Sequence, residues 1–127
     1  MNTEYPTLLK LKLNITGNDF NPDEFTKLIN ITPTSSNVRG MGVNSRWKPH
    51  EWKWCSWRFS TGYKKVFDLD HLTKEFIDIF DEKMDIIHDF LKKNTCEAQI
   101  SIILKIWHTT IPAVCFTPEF LACIHKI

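Results

Sequence analysis

The sequence has little of several features on which common enzymatic and metal-binding functions depend. Only four glycines occur, and no phosphate-cradling glycine loop, dinucleotide fingerprint or nucleophile elbow is present. The five histidines are scattered without metal-type spacing, and the four cysteines form no C-x-x-C pair. Carboxylates that could pair for acid–base catalysis lie on a predicted helix, where we expect them to face solvent. The sequence therefore predicts no enzymatic activity, no metal site and no cofactor.

Long apolar runs and a strong net charge are also lacking. No stretch of about eighteen apolar residues could span a membrane, and Met1–Pro6 is too polar to begin a signal peptide. We therefore expect a cytoplasmic protein whose cysteines are reduced and mostly buried, with Cys115 and Cys123 unreactive in apolar surroundings. The net charge of +1 gives no general reason to expect nucleic acid or an anionic membrane as partner. The 127 residues fit a single domain, 1–127.

The first part of the chain predicts a strand followed by a well-capped helix. Apolar and polar residues alternate over 7–16, which is typical of a half-buried strand. Asn21 is a predicted N-cap and Pro22 the first helical residue, in a helix that runs to about Asn30. The residues that this helix is expected to bury are Phe25, Leu28 and Ile29. The polar segment 32–45 is expected to be a surface loop.

The rest of the chain predicts more paired strands and a long helical region. A tryptophan-rich strand is expected over 51–59, a hairpin turn over 60–62 and a short returning strand over 63–67. Asp68 is expected to cap a two-part helix that is interrupted at Asp81–Lys83. A central strand over 97–107, a shorter strand over 113–116 and a final helix begun by Thr117-Pro118 follow. Strands that come in pairs favour an α+β domain, with an antiparallel sheet and helices packed mainly on one face.

One stretch, 46–59, combines tryptophans with basic residues. It contains Trp47, Trp52, Trp54 and Trp57, together with Arg46, Lys48, Lys53 and Arg58. In a strand, Trp52 and Trp54 share one face, while Cys55, Trp57 and Phe59 share the other. Such a strand is either covered on both sides as a core element, or has one side exposed for a partner. Exposed tryptophans beside cations would also suit single-stranded nucleic acid, because bases stack on aromatic rings.

The long helical region contains a row of carboxylates. Asp78, Asp81 or Glu82, Asp85 and Asp89 recur at spacings of three and four, which places them on one helical face. Between residues 68 and 97 there are nine acidic residues against four lysines. This row is either an ordinary solvated face or a surface complementary to a basic protein.

Several motifs resemble the bacterial family known as domain of unknown function 4279. The resemblance at the start of the chain rests on Phe20-Asn21-Pro22, Thr26, Leu28, Ile31 and Pro33-Thr34. Further along, the matching positions are Gly40, Trp57, Leu69 and His71-Leu72. The resemblance supports the α+β fold and implies no established activity. Members usually end with a strand after the last helix, so at Ile127 that strand is either shortened or an edge of the sheet is open.

These observations together predict a non-enzymatic protein-binding module. We expect an immunity-type protein, a monomer or weak dimer, that neutralises a cognate toxin, for example a basic nuclease. The expected partner-binding residues are Asp78, Asp81, Glu82, Asp85, Asp89, Trp47, Trp52 and Trp54. The alternative is a single-stranded nucleic-acid-binding protein that uses the tryptophan strand.

Overall fold

The computed structural model describes residues 7–40, 42–43, 50–51, 54–65, 69–106 and 116–127, with the backbone alone for 42–43 and 50–51. It is an α+β fold, as predicted, with a five-stranded antiparallel sheet covered by helices on one face. The strands are β1 (Leu8–Gly17), β2 (Ser35–Asn37), β5 (Cys55–Ser60), β6 (Lys64–Lys65) and β7 (Glu97–Lys105). Two short strands, β3 (Gly42–Val43) and β4 (His50–Glu51), form a separate antiparallel pair.

β1 is the central strand because it pairs along both of its sides. β7 pairs with it from Leu8 to Thr16, and β5 and β6 line the opposite side. The odd-numbered residues of β1, Leu9 to Ile15, are fully buried against the helices. The even-numbered residues, Lys10 to Thr16, point to the other face of the sheet, as the alternation predicted.

The first helix, α1 (Pro22–Ile29), begins as its sequence predicts. The Asn21 side chain accepts hydrogen bonds from the backbone N–H groups of Asp23 and Glu24, which otherwise lack helical partners. Phe25 and Ile29 are buried, but the expectation that Leu28 is buried too is wrong, since half of its surface is exposed. Leu28 lies in a surface groove rather than in the core.

The two-part helix is confirmed as α2 (Leu69–Phe80), a 3₁₀ turn (Asp81–Lys83) and α3 (Met84–Asn94). Its apolar stripe packs on the sheet, with six residues buried: Leu72, Phe76, Phe80, Met84, Ile87 and Leu91. The final helix, α4 (Pro118–His125), is also as predicted, with the Thr117 hydroxyl accepting from the N–H of Phe120. The predicted cap Asp68 and residues 113–115 of the predicted strand 113–116 lie outside the described residues, and Phe116, the last residue of that strand, is not part of a strand in the structure.

The predicted hairpin over 60–67 is wrong, because β5 and β6 run in the same direction along β1. Lys12 pairs with Ser60, and Leu8 pairs with Lys65, so four steps along β1 match five steps on its neighbour. The extra residue is a β-bulge, and Gly62 within it has a φ of +78°. The backbone N–H of Thr61 donates to the Leu11 carbonyl, which keeps the interrupted strand attached to β1.

Three further predictions about the strands differ from the structure: the start of β5, a strand in a predicted loop, and the position of β7 in the sheet. β5 begins at Cys55 rather than at residue 51, and His50–Glu51 belongs to the separate β3–β4 pair. The predicted loop 32–45 contains β2, which pairs with β5 through Ser35, Ser36 and Asn37. β7 was expected to be central, but within the described residues its one partner strand is β1. Among the described helices, none has the length and apolar content needed to cross a membrane.

Candidate functional surfaces

The predicted row of carboxylates lies on the outer side of the helical layer. Asp78, Glu82, Asp85 and Asp89 are exposed, while most apolar residues of the same helices face the sheet. Within the described part of the chain, none of these four has a cation at ion-pair distance. The structure thus brings four of the expected residues together on one accessible face, here called the acidic row.

Asp81 is the member of the predicted set that is already neutralised. Its Oδ1 lies 2.9 Å from Nζ of Lys126 at the end of the chain. The hydrogen bond from Lys126 holds the pKa of the Asp81 carboxyl below its usual value, and the same contact raises the pKa of Lys126. Asp81 therefore connects the 3₁₀ turn to α4 and is less available to a partner than its neighbours.

An apolar groove runs between α1 and α3 beside the acidic row. Leu28 is 50% exposed and Ile86 is 37% exposed in this groove, whose volume is about 470 Å³. Its remaining lining residues are Glu24, Asp89, Phe90, Lys93 and Asn94. The groove was missed in the sequence because Leu28 has the correct spacing for a core position on α1. Leu28 lies at the surface because of how α1 packs beside α3, which the spacing within α1 does not indicate.

Trp54 and Trp57, the two tryptophans that the structure describes, do not share one surface. Trp57 is fully buried, donates its indole N–H to the Thr26 hydroxyl at 3.0 Å, and packs edge-to-face on Phe25. This arrangement agrees with the core interpretation of that side of the strand. Trp54, just before β5, is 47% exposed. Trp47 and Trp52 lie outside the described residues.

The outer sheet face, meaning the side of the sheet opposite the helices, is polar. Arg58 of β5 donates to Ser35 at 3.0 Å and to Asn37 at 2.5 Å, and Ser56 also hydrogen-bonds to Asn37. The Asn37 side-chain amide donates in turn to the Trp54 carbonyl at 2.8 Å. These bonds join β2 to β5 and hold the backbone of Trp54 in place.

A cleft of about 570 Å³ lies at one end of this outer face. Its lining residues are Asn14, Thr16, Gly17, Asn18, Trp54, Thr95 and Glu97. Asn14 Oδ1 is buried and accepts no hydrogen bond from the described part of the chain. The alternation in β1 indicated that Asn14 points away from the core, but no sequence signal showed that its carbonyl lacks a donor.

The cysteines are free thiols at the three described positions, Cys55, Cys96 and Cys123. Burial raises the pKa of Cys123 to about 11, with a further contribution from the charge of Asp81. Burial of Cys123 agrees with the expectation, its lack of reactivity stays a prediction, and Cys115 lies outside the described residues. Across the side chains that the structure describes, no three His, Cys, Asp or Glu residues cluster as a metal site would require.

The fold and these surfaces define a two-layer α+β domain with accessible faces on both layers. The chain belongs to the family described as domain of unknown function (DUF4279), whose model matches residues 7–127. Thr26 and Trp57, two positions on which the resemblance rests, are joined directly by the indole hydrogen bond. No curated protein and no solved structure matches the chain.

Proposed function

We propose that this chain is a non-enzymatic, immunity-type protein that binds and neutralises a basic bacterial toxin through the acidic row. The observation that carries the proposal is the position of exposed Leu28 and Ile86 beside carboxylates that have no cation at ion-pair distance. The protein is expected to act in the cytoplasm, as a monomer or weak dimer.

A groove with two exposed aliphatic side chains beside a row of carboxylates has the features of a protein-binding surface. Completing the burial of Leu28 and Ile86 would contribute about 1 kcal/mol each, and such anchors commonly lie at the centre of an interface. Four aligned carboxylates on a helical face repel each other, which disfavours the isolated protein by a few tenths of a kcal/mol per pair. A basic partner would relieve this repulsion and would be steered to the surface.

The proposal is tested by capture from the native cells with tagged protein at moderate salt, followed by mass spectrometry. The tagged forms are the wild type, the double variant Asp85→Asn/Asp89→Asn, and Leu28→Ser. We expect one stoichiometric protein that stops growth when expressed alone and is harmless when the wild-type chain is co-expressed. Both variants should capture less of it and rescue growth poorly.

The matched control is Asp19→Asn/Asp70→Asn, which removes two exposed carboxylates away from the acidic row. It should bind and rescue like the wild type. Urea midpoints of all variants establish that the domain remains folded. Full capture by Asp85→Asn/Asp89→Asn would remove the acidic row from the proposal, and a captured protein without toxicity would remove the immunity role.

Single-stranded nucleic-acid binding is the second candidate, and the charge of the outer sheet face favours it. Lys10, Lys12 and Arg58 occupy this face. The centre of the Tyr63 ring lies 4.4 Å from Nζ of Lys10 and 5.1 Å from Nζ of Lys105. Cations beside accessible rings are the usual elements of such a site. The aromatic face of Tyr63 is, however, already in contact with lysine rather than open to a base.

Fluorescence anisotropy with a labelled single-stranded oligonucleotide separates this candidate from the first. Nucleic-acid binding should weaken steeply as salt is raised, because phosphate contacts release counterions. Lys10→Gln/Lys12→Gln should reduce both the affinity and the salt dependence, and Asp85→Asn/Asp89→Asn should not. No saturable binding at low salt would exclude this candidate.

A further inference from the structure

The cleft on the outer sheet face contains a hydrogen-bond acceptor that the fold leaves unused. Asn14 lies on the central strand, and its buried Oδ1 receives no donor from the described chain. A buried polar atom without a partner destabilises a protein, so its presence in a central strand calls for an explanation. The soft terminal torsion of asparagine allows the amide to turn toward the adjoining cleft.

The other walls of the cleft restrict the chemistry of a ligand. Glu97 lies one cross-strand pair away from Asn14, because β7 pairs Glu97 with Thr16 and Gln99 with Asn14. Asn14 and Glu97 are therefore diagonal neighbours on one face, within reach of a single small group. Trp54 supplies a half-exposed aromatic surface at the same cleft.

The described residues that line the cleft give it a negative charge. Among the described residues that line it, Glu97 is the one charged side chain. The carboxyl end of α3, which ends at Asn94 just before the lining residue Thr95, adds partial negative charge. The nearby Arg58 guanidinium is directed to Ser35 and Asn37. An anionic ligand such as a nucleotide phosphate is disfavoured here.

We propose that this cleft binds a guanidinium group. A guanidinium is planar and cationic, presents five N–H donors in one plane and stacks on aromatic rings. It would stack on Trp54, donate to the Glu97 carboxylate and donate to Asn14 Oδ1. The inference goes beyond the proposed function, because this cleft is on the side of the sheet opposite the helical layer that carries the acidic row.

The test is an NMR titration of isotope-labelled full-length protein with methylguanidinium chloride, compared with methylammonium chloride at equal ionic strength. We expect saturable shifts of the Trp54 indole N–H and the Asn14 side-chain amide, with a dissociation constant in the millimolar range for so small a ligand. Methylammonium should bind several-fold more weakly, because it cannot stack or donate in one plane.

Three variants test the proposed contacts. Glu97→Gln should weaken methylguanidinium binding by about tenfold, since it removes a charge-assisted hydrogen bond. Glu82→Gln, the same change on the acidic row, is the matched control and should leave the affinity unchanged. Asn14→Val should abolish the shift at Trp54 while raising the urea midpoint, because the unpaired carbonyl is gone.

Two sources of guanidinium are distinguished by blocked and free arginine. If the cleft receives an arginine side chain of a protein, Nα-acetyl-arginine methylamide should bind at least as tightly as L-arginine. If it receives a metabolite, L-arginine or agmatine should bind more tightly than the blocked form. Equal binding of methylammonium and methylguanidinium, full affinity in Glu97→Gln, or tighter binding of glucose or adenosine monophosphate at Trp54 would each overturn the proposal.

Discussion

At the scale of single residues, the buried indole of Trp57 joins the sheet to the first helix through one hydrogen bond. Its N–H donates to the Thr26 hydroxyl, which in turn donates to the Pro22 carbonyl at 3.0 Å. Thr26→Val keeps the shape of the side chain but leaves a buried N–H unpaired. We expect the free energy of unfolding, measured in urea, to fall by about 1–3 kcal/mol.

Thr26→Ser is the control for this substitution, because it keeps the hydroxyl and loses only a methyl group. It should retain most of the stability that Thr26→Val loses. Equal losses in the two variants would show that the methyl contact matters and the hydrogen bond does not.

Cys123 predicts a dependence of stability on alkaline pH. Its side chain is 1% exposed, and burial raises its thiol pKa from 9.0 to about 11. Between these two values the unfolded chain loses the proton while the folded chain keeps it. The folded state then binds more protons, so its stability falls as the pH rises from about 9 to about 11. Below pH 9 the thiol is protonated in both the folded and the unfolded chain, so its full contribution to the free energy of unfolding is present.

Urea unfolding of the wild type and of Cys123→Ala across this pH range measures the effect. The substitution lowers the free energy of unfolding at every pH by leaving a small cavity. The comparison therefore uses the change of this free energy with pH and not its absolute value. The decline should be shallower in Cys123→Ala. Parallel slopes would mean that the thiol does not titrate differently on folding.

Side-chain roles were predictable from the sequence where local pattern determines them. Asn21 and Thr117 act as caps because the capping contacts are made within three residues of each. Leu28 and Asn14 were not predictable in the same way. Their environment depends on where α3 and the residues before β5 lie, which is set by contacts distant in sequence.

At the scale of secondary-structure elements, the bulge between β5 and β6 depends on the backbone of Gly62. Its φ of +78° is unfavourable for residues with a Cβ and most unfavourable for β-branched ones. Gly62→Val should lower the free energy of unfolding by more than about 1 kcal/mol, whereas Gly62→Asn should cost less, because Asn tolerates this region. A Cβ at this position meets no atom within 4 Å, so the difference would report backbone strain rather than a clash.

Urea unfolding of the two variants measures this difference. If Gly62→Val and Gly62→Asn have equal stability, the positive φ is not required in solution. The same bulge explains why a hairpin was predicted in its place. Gly62 after Ser60-Thr61 is a turn signal in either structure, and only pairing with β1 distinguishes a bulge from a reversal of the chain.

At the scale of the whole molecule, the two layers have different charge. The helical layer has the acidic row on its outer side, and the outer sheet face carries Lys10, Lys12 and Arg58. A net charge of +1 conceals this division. The fold class was predictable because the period-two alternation of β1 and the apolar stripes of α1, α2 and α3 are clear in the sequence, although the predicted hairpin proved to be a bulge. That Trp54 lies at the outer sheet face while the acidic row lies on the helical layer required the three-dimensional structure.

Because the acidic row and the Trp54 cleft lie on different layers and share no residue, they should act independently. Effects of substitutions at sites without shared partners add to within about 0.5 kcal/mol. We therefore expect Asp85→Asn/Asp89→Asn to leave the methylguanidinium affinity unchanged, while Glu97→Gln lowers it in the wild type and in this double variant alike. A thermodynamic cycle from NMR titrations of the four proteins measures the coupling. If neutralising Asp85 and Asp89 weakens binding as much as Glu97→Gln does, methylguanidinium is attracted by the overall field of the protein and not held in the cleft.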